Sequence, residues 1–295
     1  MKLTVTQQQN SGVFASTRGV NLIHQSNNIA YTISVMDRDN RQVIVAPISD
    51  TTYPAMFGVY YNIETLLMLF EGQFFPTLNV FENNTDITHC WRQRTLPSYN
   101  SADFMVGTDN ILVDYSVFLN SNALEKWSSL RDDLDMIHNM VLYCLSSVQM
   151  PVDMKCAFMT EAYLGIAELL KEKRNIVFPS IGKGESKLQK YLQRIILTYG
   201  QDIFGQEIQR GLDVFTQVLV DSRNRIAHIK SKQERVVLNG SECVMYLMKL
   251  SLLYRLILLD LLDISVDSYK DRLVNRVQLI NEHDAVKSFL PKLVR

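Results

Sequence analysis

Six consecutive positions, Arg223-Asn224-Arg225-Ile226-Ala227-His228, bring a guanidinium, an amide and an imidazole together near the end of a helical pattern. An arginine presents a fixed fork of donors that matches phosphate oxygens, and it is never neutral in practice. A histidine titrates close to neutrality, so it can accept a proton or release one. These are the parts of a metal-free site for cutting RNA. The ribose 2′-hydroxyl already lies beside the scissile phosphate, so the protein must supply a base for its proton and an acid for the leaving 5′-oxygen. It must also supply positive charge for the phosphorane-like transition state. On this chemistry Arg223 clamps the phosphate, His228 is the acid or base, and Asn224 orients the imidazole or contacts the phosphate. The six residues also fit a plainer account, with Arg223 and Arg225 as solvated cations favoured at a helix C-terminus and His228 as a partly buried histidine.

Spacing restricts how such a site is built. Residues five apart on an α-helix point about 140° from each other, so Arg223 and His228 do not share one face of a straight helix. Three arrangements stay open: the helix frays near Ala227, the site faces a groove reached from both sides, or a second copy completes it. One imidazole cannot easily serve as base and acid together, which makes two-fold pairing of such helices chemically attractive.

The elements that position the motif are helical. Leu124, Trp127, Leu130, Leu134, Ile137, Val141, Cys144 and Val148 recur at steps of three or four and predict one helix, ended or kinked by Pro151. Val152 to Arg174 predicts a second, Glu185 to Tyr199 a third, and Gln206 to about Lys230 a fourth that carries the motif. Asn239-Gly240-Ser241 supplies a turn and an N-cap for a fifth, Glu242 to Leu262, and Ser265 to Arg295 reads as one more amphipathic helix.

The first ~120 residues read differently. Ala30 to Met36 and Gln42 to Ala46 flank a polar turn and predict a hairpin. Phe57 to Tyr61, Leu78 to Phe81, Ile87 to Trp91 and Ile111 to Phe118 read as further short strands, with a helical turn or two at Ile63 to Phe70. The expected fold class is therefore α+β: a β-rich N-terminal domain over residues 1–122, then an all-α bundle over residues 123–295 whose motif core is 150–265.

The chain of 295 residues has a net charge of −1, but the charge is unevenly spread. Residues 1–135 carry 8 Lys/Arg against 14 Asp/Glu, whereas residues 171–235 carry 13 against 7. One region repels phosphate and the other attracts it. Within the second, Lys183, Lys187, Lys190 and Arg194 recur at helical steps on the third helix. With Arg225 and Lys230 they are candidate RNA-backbone contacts. Gly182-Lys183-Gly184 lacks the frame of a nucleotide-hydrolysing phosphate loop. Cys90, Cys144, Cys156 and Cys243 form no C-x-x-C pair, so neither a zinc site nor a disulfide framework is expected. Neither a metal nor another cofactor is expected. No apolar signal segment follows Met1, and the apolar run Cys243 to Leu262 holds Lys249, Arg255 and Asp260. It reads as a buried core helix in a soluble, cytoplasmic protein.

The segment Val220-Asp221-Ser222-Arg223-Asn224-Arg225-Ile226-Ala227-His228 resembles the signature of HEPN domains, all-α modules defined by Arg, a polar residue, a few residues and His. The resemblance is closest to the Apea-like HEPN group. Phe158 to Leu170 resembles the group's first long helix, and Gly240-Ser241-Glu242, opening an apolar helix that closes at Leu261-Leu262-Asp263-Ile264, resembles its last. The likeness covers about residues 150–265. It implies a metal-independent endoribonuclease that works as a homodimer through the helical domain, in anti-phage defence or toxin-type growth arrest. Arg223, Asn224 and His228 fall on the family's motif positions and Arg225 on a variable one. Glu168 falls on the acid of the first helix, with Glu161, two turns earlier, as the alternative. The N-terminal domain resembles, in position only, the sensing or substrate-selecting domains that precede this module, where a phage-derived trigger would bind. The competing expectation is a non-catalytic HEPN module that binds RNA or a partner protein and dimerises.

Overall fold

A computed structural model describes residues 1–8, 20–37, 40–72, 77–91, 111–114, 117, 122–145, 150–228 and 235–293. The chain packs as two compact units, residues 1–130 with 262–270, and residues 131–261 with 271–295. The fold is α+β, with an N-terminal antiparallel sheet and a C-terminal helical region.

In the first unit β1 (Leu3–Gln8), β2 (Val20–Ser26), β3 (Ile29–Asp37) and β4 (Asn40–Pro47) precede α1 (Tyr53–Glu71), followed by β5 (Thr77–Glu82), β6 (Thr85–Asp86) and the helical turn α2 (Thr88–Trp91). The six strands form one antiparallel sheet in the order β2-β3-β4-β1-β5-β6. Alternation fixes its inner face: Leu3 and Val5, Ile33 and Val35, Val43 and Val45 are all buried, and the register sets Val5 opposite both Val43 and Val80. Asn27-Asn28 between β2 and β3 and Asn83-Asn84 between β5 and β6 make tight hairpin turns, all four residues at positive φ, where asparagine is better tolerated than most other side chains.

Three expectations for this unit are corrected. Phe57 to Tyr61 is not a strand but the first half of α1, a helix of 19 residues that Pro54 opens and left-handed Gly72 closes. Its buried positions Met56, Val59, Tyr60, Ile63, Leu66, Leu67 and Phe70 follow a helical period, which overrides the β preference of the aromatic run. Ile87 to Trp91 ends in the turn α2, not in a strand. Residues 111–114 are not a strand either, and 115, 116 and 118 lie outside the described residues.

The inner face also holds polar groups. Arg41, 1% exposed, donates to Gln7 Oε1 at 2.8 Å and to Glu71 Oε1 at 2.5 Å, and Gln7 donates to Tyr60 and Glu64. Burial pushes the Glu64 carboxyl up to about 7 against the opposing pull of Arg41.

Helix α3 (Ala123–Leu145) runs from the first unit into the second; Val148, expected at its end, lies outside the described residues. The second unit is built on α4 (Val152–Arg174), α5 (Lys187–Tyr199), α6 (Gln201–Ala227), α7 (Gly240–Leu261), α8 (Lys270–Glu282) and α9 (Asp284–Phe289). Ser186 caps α5, accepting from the Gln189 N–H, and Asn239 and Glu242 cap α7 reciprocally. Helix α7 is buried nearly all round, including Lys249, whose ammonium meets Glu207 Oε1 at 2.6 Å with both side chains fully enclosed. No helix among the described residues is long and apolar enough to cross a membrane. The expected single tail helix is instead α8, α9 and a 3-10 turn at Leu290–Leu293, because His283 caps α9 and restarts the helix.

Helix α6 starts earlier than expected and is broken at Gly211, whose φ of 137° suits glycine and strains other residues. Leu212 to Ala227 is therefore a separately directed segment, and it carries the motif.

Candidate active site at the end of helix α6

The sequence expects a basic clamp near the end of α6, and Arg223 stands there half-buried. Its Nε donates to Glu161 Oε2 of α4 at 2.8 Å, and its Nη1 donates to Asn224 Oδ1 at 2.9 Å. A guanidinium has five N–H donors; the other three meet no partner among the described residues. Glu161 thus fixes the near edge of the fork and leaves the far edge for an anion. Asn224 spends its carbonyl on Arg223, so its amide N–H groups face elsewhere.

Helix α6 ends at Ala227. His228 leaves helical geometry at φ −110° and ψ 5°, although its N–H still closes on the Asn224 carbonyl at 3.0 Å. The helix thus stops just before the histidine, which frees the imidazole from the direction a continuing helix would give it. The imidazole is exposed and has no hydrogen-bond partner among the described residues.

The residues before the motif anchor the chain that follows it. Ser222 Oγ donates to the Val218 carbonyl and accepts from the Leu238 N–H at 2.9 Å, while Asp221 Oδ1 accepts from Arg235 at 2.8 Å. Asp221, Ser222 and Arg235 were not singled out in the sequence, and a polar pair directly preceding Arg223 was the available signal. Beside them, α5 and the C-terminal segment of α6 enclose a groove of about 730 Å³ that reaches Asn224 at one end.

The other candidate residues fall in different places. Glu168 is not part of this constellation. It lies two turns beyond Glu161 on α4, exposed, and pairs with Lys171 at 2.9 Å and Lys187 at 3.1 Å, which hold its carboxyl below the usual range. Lys183 sits in the turn before α5, not on that helix; Lys187, Lys190 and Arg194 do lie on it. Lys187 is tied to Glu168 and Lys190 to Glu185 at 3.4 Å, so the stripe is partly neutralised, whereas Lys183, Arg194 and Arg225 are exposed. Lys230 lies outside the described residues. Among the described residues no group of three or more His, Cys, Asp or Glu is arranged to hold a metal ion. Cys144, Cys156 and Cys243 are free and buried.

No curated protein and no solved structure matches the chain. The family model described as Apea-like HEPN matches residues 123–268, a span that includes α4 to α7 and the whole motif. HEPN domains commonly bind RNA and dimerise, and often act as ribonucleases in defence or toxin systems. On that match, the helical region of the chain, residues 123–268, belongs to the Apea-like HEPN family.

Proposed function

We propose that the chain is a metal-independent endoribonuclease that cuts RNA by attack of the 2′-hydroxyl, in anti-phage defence or growth arrest. The observation that carries this is the pairing of an immobilised Arg223, its far edge open, with an exposed His228 just past the helix end. A histidine packed among apolar neighbours would have argued for a structural role instead. In the proposed reaction Arg223 holds the phosphate and offsets the charge that grows on its oxygens. His228 takes the 2′-hydroxyl proton, and the oxygen closes on phosphorus to give a 2′,3′-cyclic phosphate. The 5′-oxygen leaves and must be protonated, which a second His228 from another copy would do. Asn224 keeps the guanidinium in register. RNA is the substrate and a homodimer the working form; the first 122 residues serve as the domain that selects substrate or senses a phage-derived trigger.

The test is cleavage of single-stranded RNA in EDTA by the full chain and by a His228→Ala protein of unchanged fold and oligomeric state. Cleavage by the natural sequence alone, leaving 2′,3′-cyclic ends, is expected. Equal cleavage by both removes His228 from the chemistry. Binding without cleavage under all conditions favours the non-catalytic module.

A further inference from the structure

We infer that the groove between α5 and α6 is a nucleotide-selecting subsite that takes the unpaired base adjoining the phosphate on Arg223 and prefers bases bearing an exocyclic amine. This rests on the proposed function above and names what its site reads.

The groove runs along one stripe of α6, from Asp213 through Val214, Gln217, Val218 and Asp221 to Asn224. The eleven helical rises between Asp213 and Asn224 make it about 16 Å long. Its far end is Asn224, the residue bonded to Arg223, so a strand whose phosphate rests on the clamp has a neighbouring nucleoside at the groove mouth. Valines on two sides, Val214 and Val218 on α6 and Val236 across from them, give the flat apolar surface that the face of a base requires.

Charge then decides which part of a nucleotide enters. The lining holds three carboxylates, Glu185, Asp213 and Asp221, against two cations, Lys190 and Arg235. Both cations are already engaged, Lys190 with Glu185 and Arg235 with Asp221. With one more carboxylate than cations along its lining, the groove disfavours a phosphate relative to a neutral base.

The polar edges specify further. Asp213 Oδ1 accepts from Gln189 and Gln193, and Asp221 Oδ1 accepts from Gln217 and Arg235. Neither Oδ2 has a hydrogen bond among the described residues. A carboxylate oxygen only accepts. Adenine, cytosine and guanine each carry an exocyclic amine that can donate to it; uracil has none, and its one edge donor, N3–H, is flanked on both sides by carbonyl oxygens that face the carboxylate unfavourably.

The experiment uses the full chain with fluorescent single-stranded oligoribonucleotides of adenine, cytosine or uracil, at fixed salt. Two variants fill the groove from different elements, Gln217→Trp at a half-buried position of α6 and Val236→Trp at an exposed position of the segment before α7. The expected result is at least fivefold tighter binding of adenine or cytosine oligomers than uracil by the natural chain. Each groove variant loses at least tenfold in affinity for the amine-bearing oligomers and binds all three alike. Unchanged affinity and preference in both variants overturns the subsite, as does a natural chain without base preference. If cleavage still depends on His228 in that case, the nuclease stands and only the subsite falls. A change of oligomeric state with preference intact assigns the groove to a second copy of the chain instead. Absence of both RNA binding and cleavage in the natural chain removes the two together.

Discussion

If Glu161 matters only because it aims Arg223, its removal is costly while Arg223 is present and costless once it is gone. Glu161→Gln keeps an acceptor for the Arg223 Nε–H and removes the charge. A hydrogen bond to a charged partner contributes about 1.5–3 kcal/mol and a neutral one about 0.5–1.5, so the change weakens the hold by about 1 kcal/mol. Working the other way, the lost carboxylate no longer repels the substrate phosphate, which recovers only about 0.3 kcal/mol across a guanidinium's width of about 7 Å in water at physiological salt. Positioning wins by a small margin, and kcat/KM falls about three- to fivefold. Arg223→Ala, which removes the donors themselves, costs about 10²- to 10³-fold. The decisive protein is the double variant Glu161→Gln/Arg223→Ala, expected to be no slower than Arg223→Ala alone. The assay is single-turnover cleavage of a labelled RNA. The side chains of the pair are 26% and 33% exposed, so its contribution to folding is under about 1 kcal/mol and Tm hardly moves. A double variant slower than Arg223→Ala by the same three- to fivefold would show that Glu161 acts independently, and would refute the positioning role.

Other consequences are open to direct measurement. Glu64 is raised to about 7 by burial, so between its ordinary value and about 7 the folded chain binds more protons than the unfolded one. The N-terminal unit therefore loses stability as pH rises from about 4.5 to 7; urea unfolding followed by Trp127 fluorescence should show this, and Glu64→Gln should flatten the dependence. His138 is shifted the opposite way, down to about 3 by burial, with its Nδ1 on the Tyr254 hydroxyl at 2.6 Å. The stability it supports is present above its unfolded value and lost as pH falls from 6.5 toward 3, which circular dichroism of urea unfolding will detect, and His138→Gln should remove most of that slope. Phe158 lies one turn before Glu161 with 38% of its surface exposed, an apolar group for a second copy to cover. Phe158→Glu is expected to raise the dimer dissociation constant at least tenfold by light scattering, and an unchanged dimer would place the interface elsewhere.

Much of the helical unit was legible because its signals are local. Val152–Arg174 is bounded as expected, since Pro151 marks one end and Asn175, in left-handed conformation, the other. Helix α1 was harder. The residues Phe57, Val59, Tyr60 and Tyr61 favour strands by type, and their helical period shows only when the window extends from Met56 to Phe70. Strand β1 was missed because Gln7 sits on its inner face, a polar residue that makes sense only once Arg41 and Tyr60 are folded against it. The motif itself could be read directly. The choice between Glu161 and Glu168 could not, because seven residues is close to two full turns and both project to the same side of α4. Only the lengthwise stagger of α6 against α4, set by packing, brings Arg223 to the first of them. The groove is a product of packing in the same way, drawn from α5, α6 and the segment after residue 234.

The two bonds that anchor the chain around the motif have a further consequence. Arg235 on Asp221 and the Leu238 N–H on Ser222 fasten the returning chain to the positions just ahead of Arg223. The start of α7 is thereby tied to the helix that carries the motif, and the arginine and the last helix of the match hang on a common fastening. A change at Asp221 or Ser222 is felt in two places at once, at the capped entry of α7 and at the clamp. Two side chains that touch no substrate thus set how steadily the site is held.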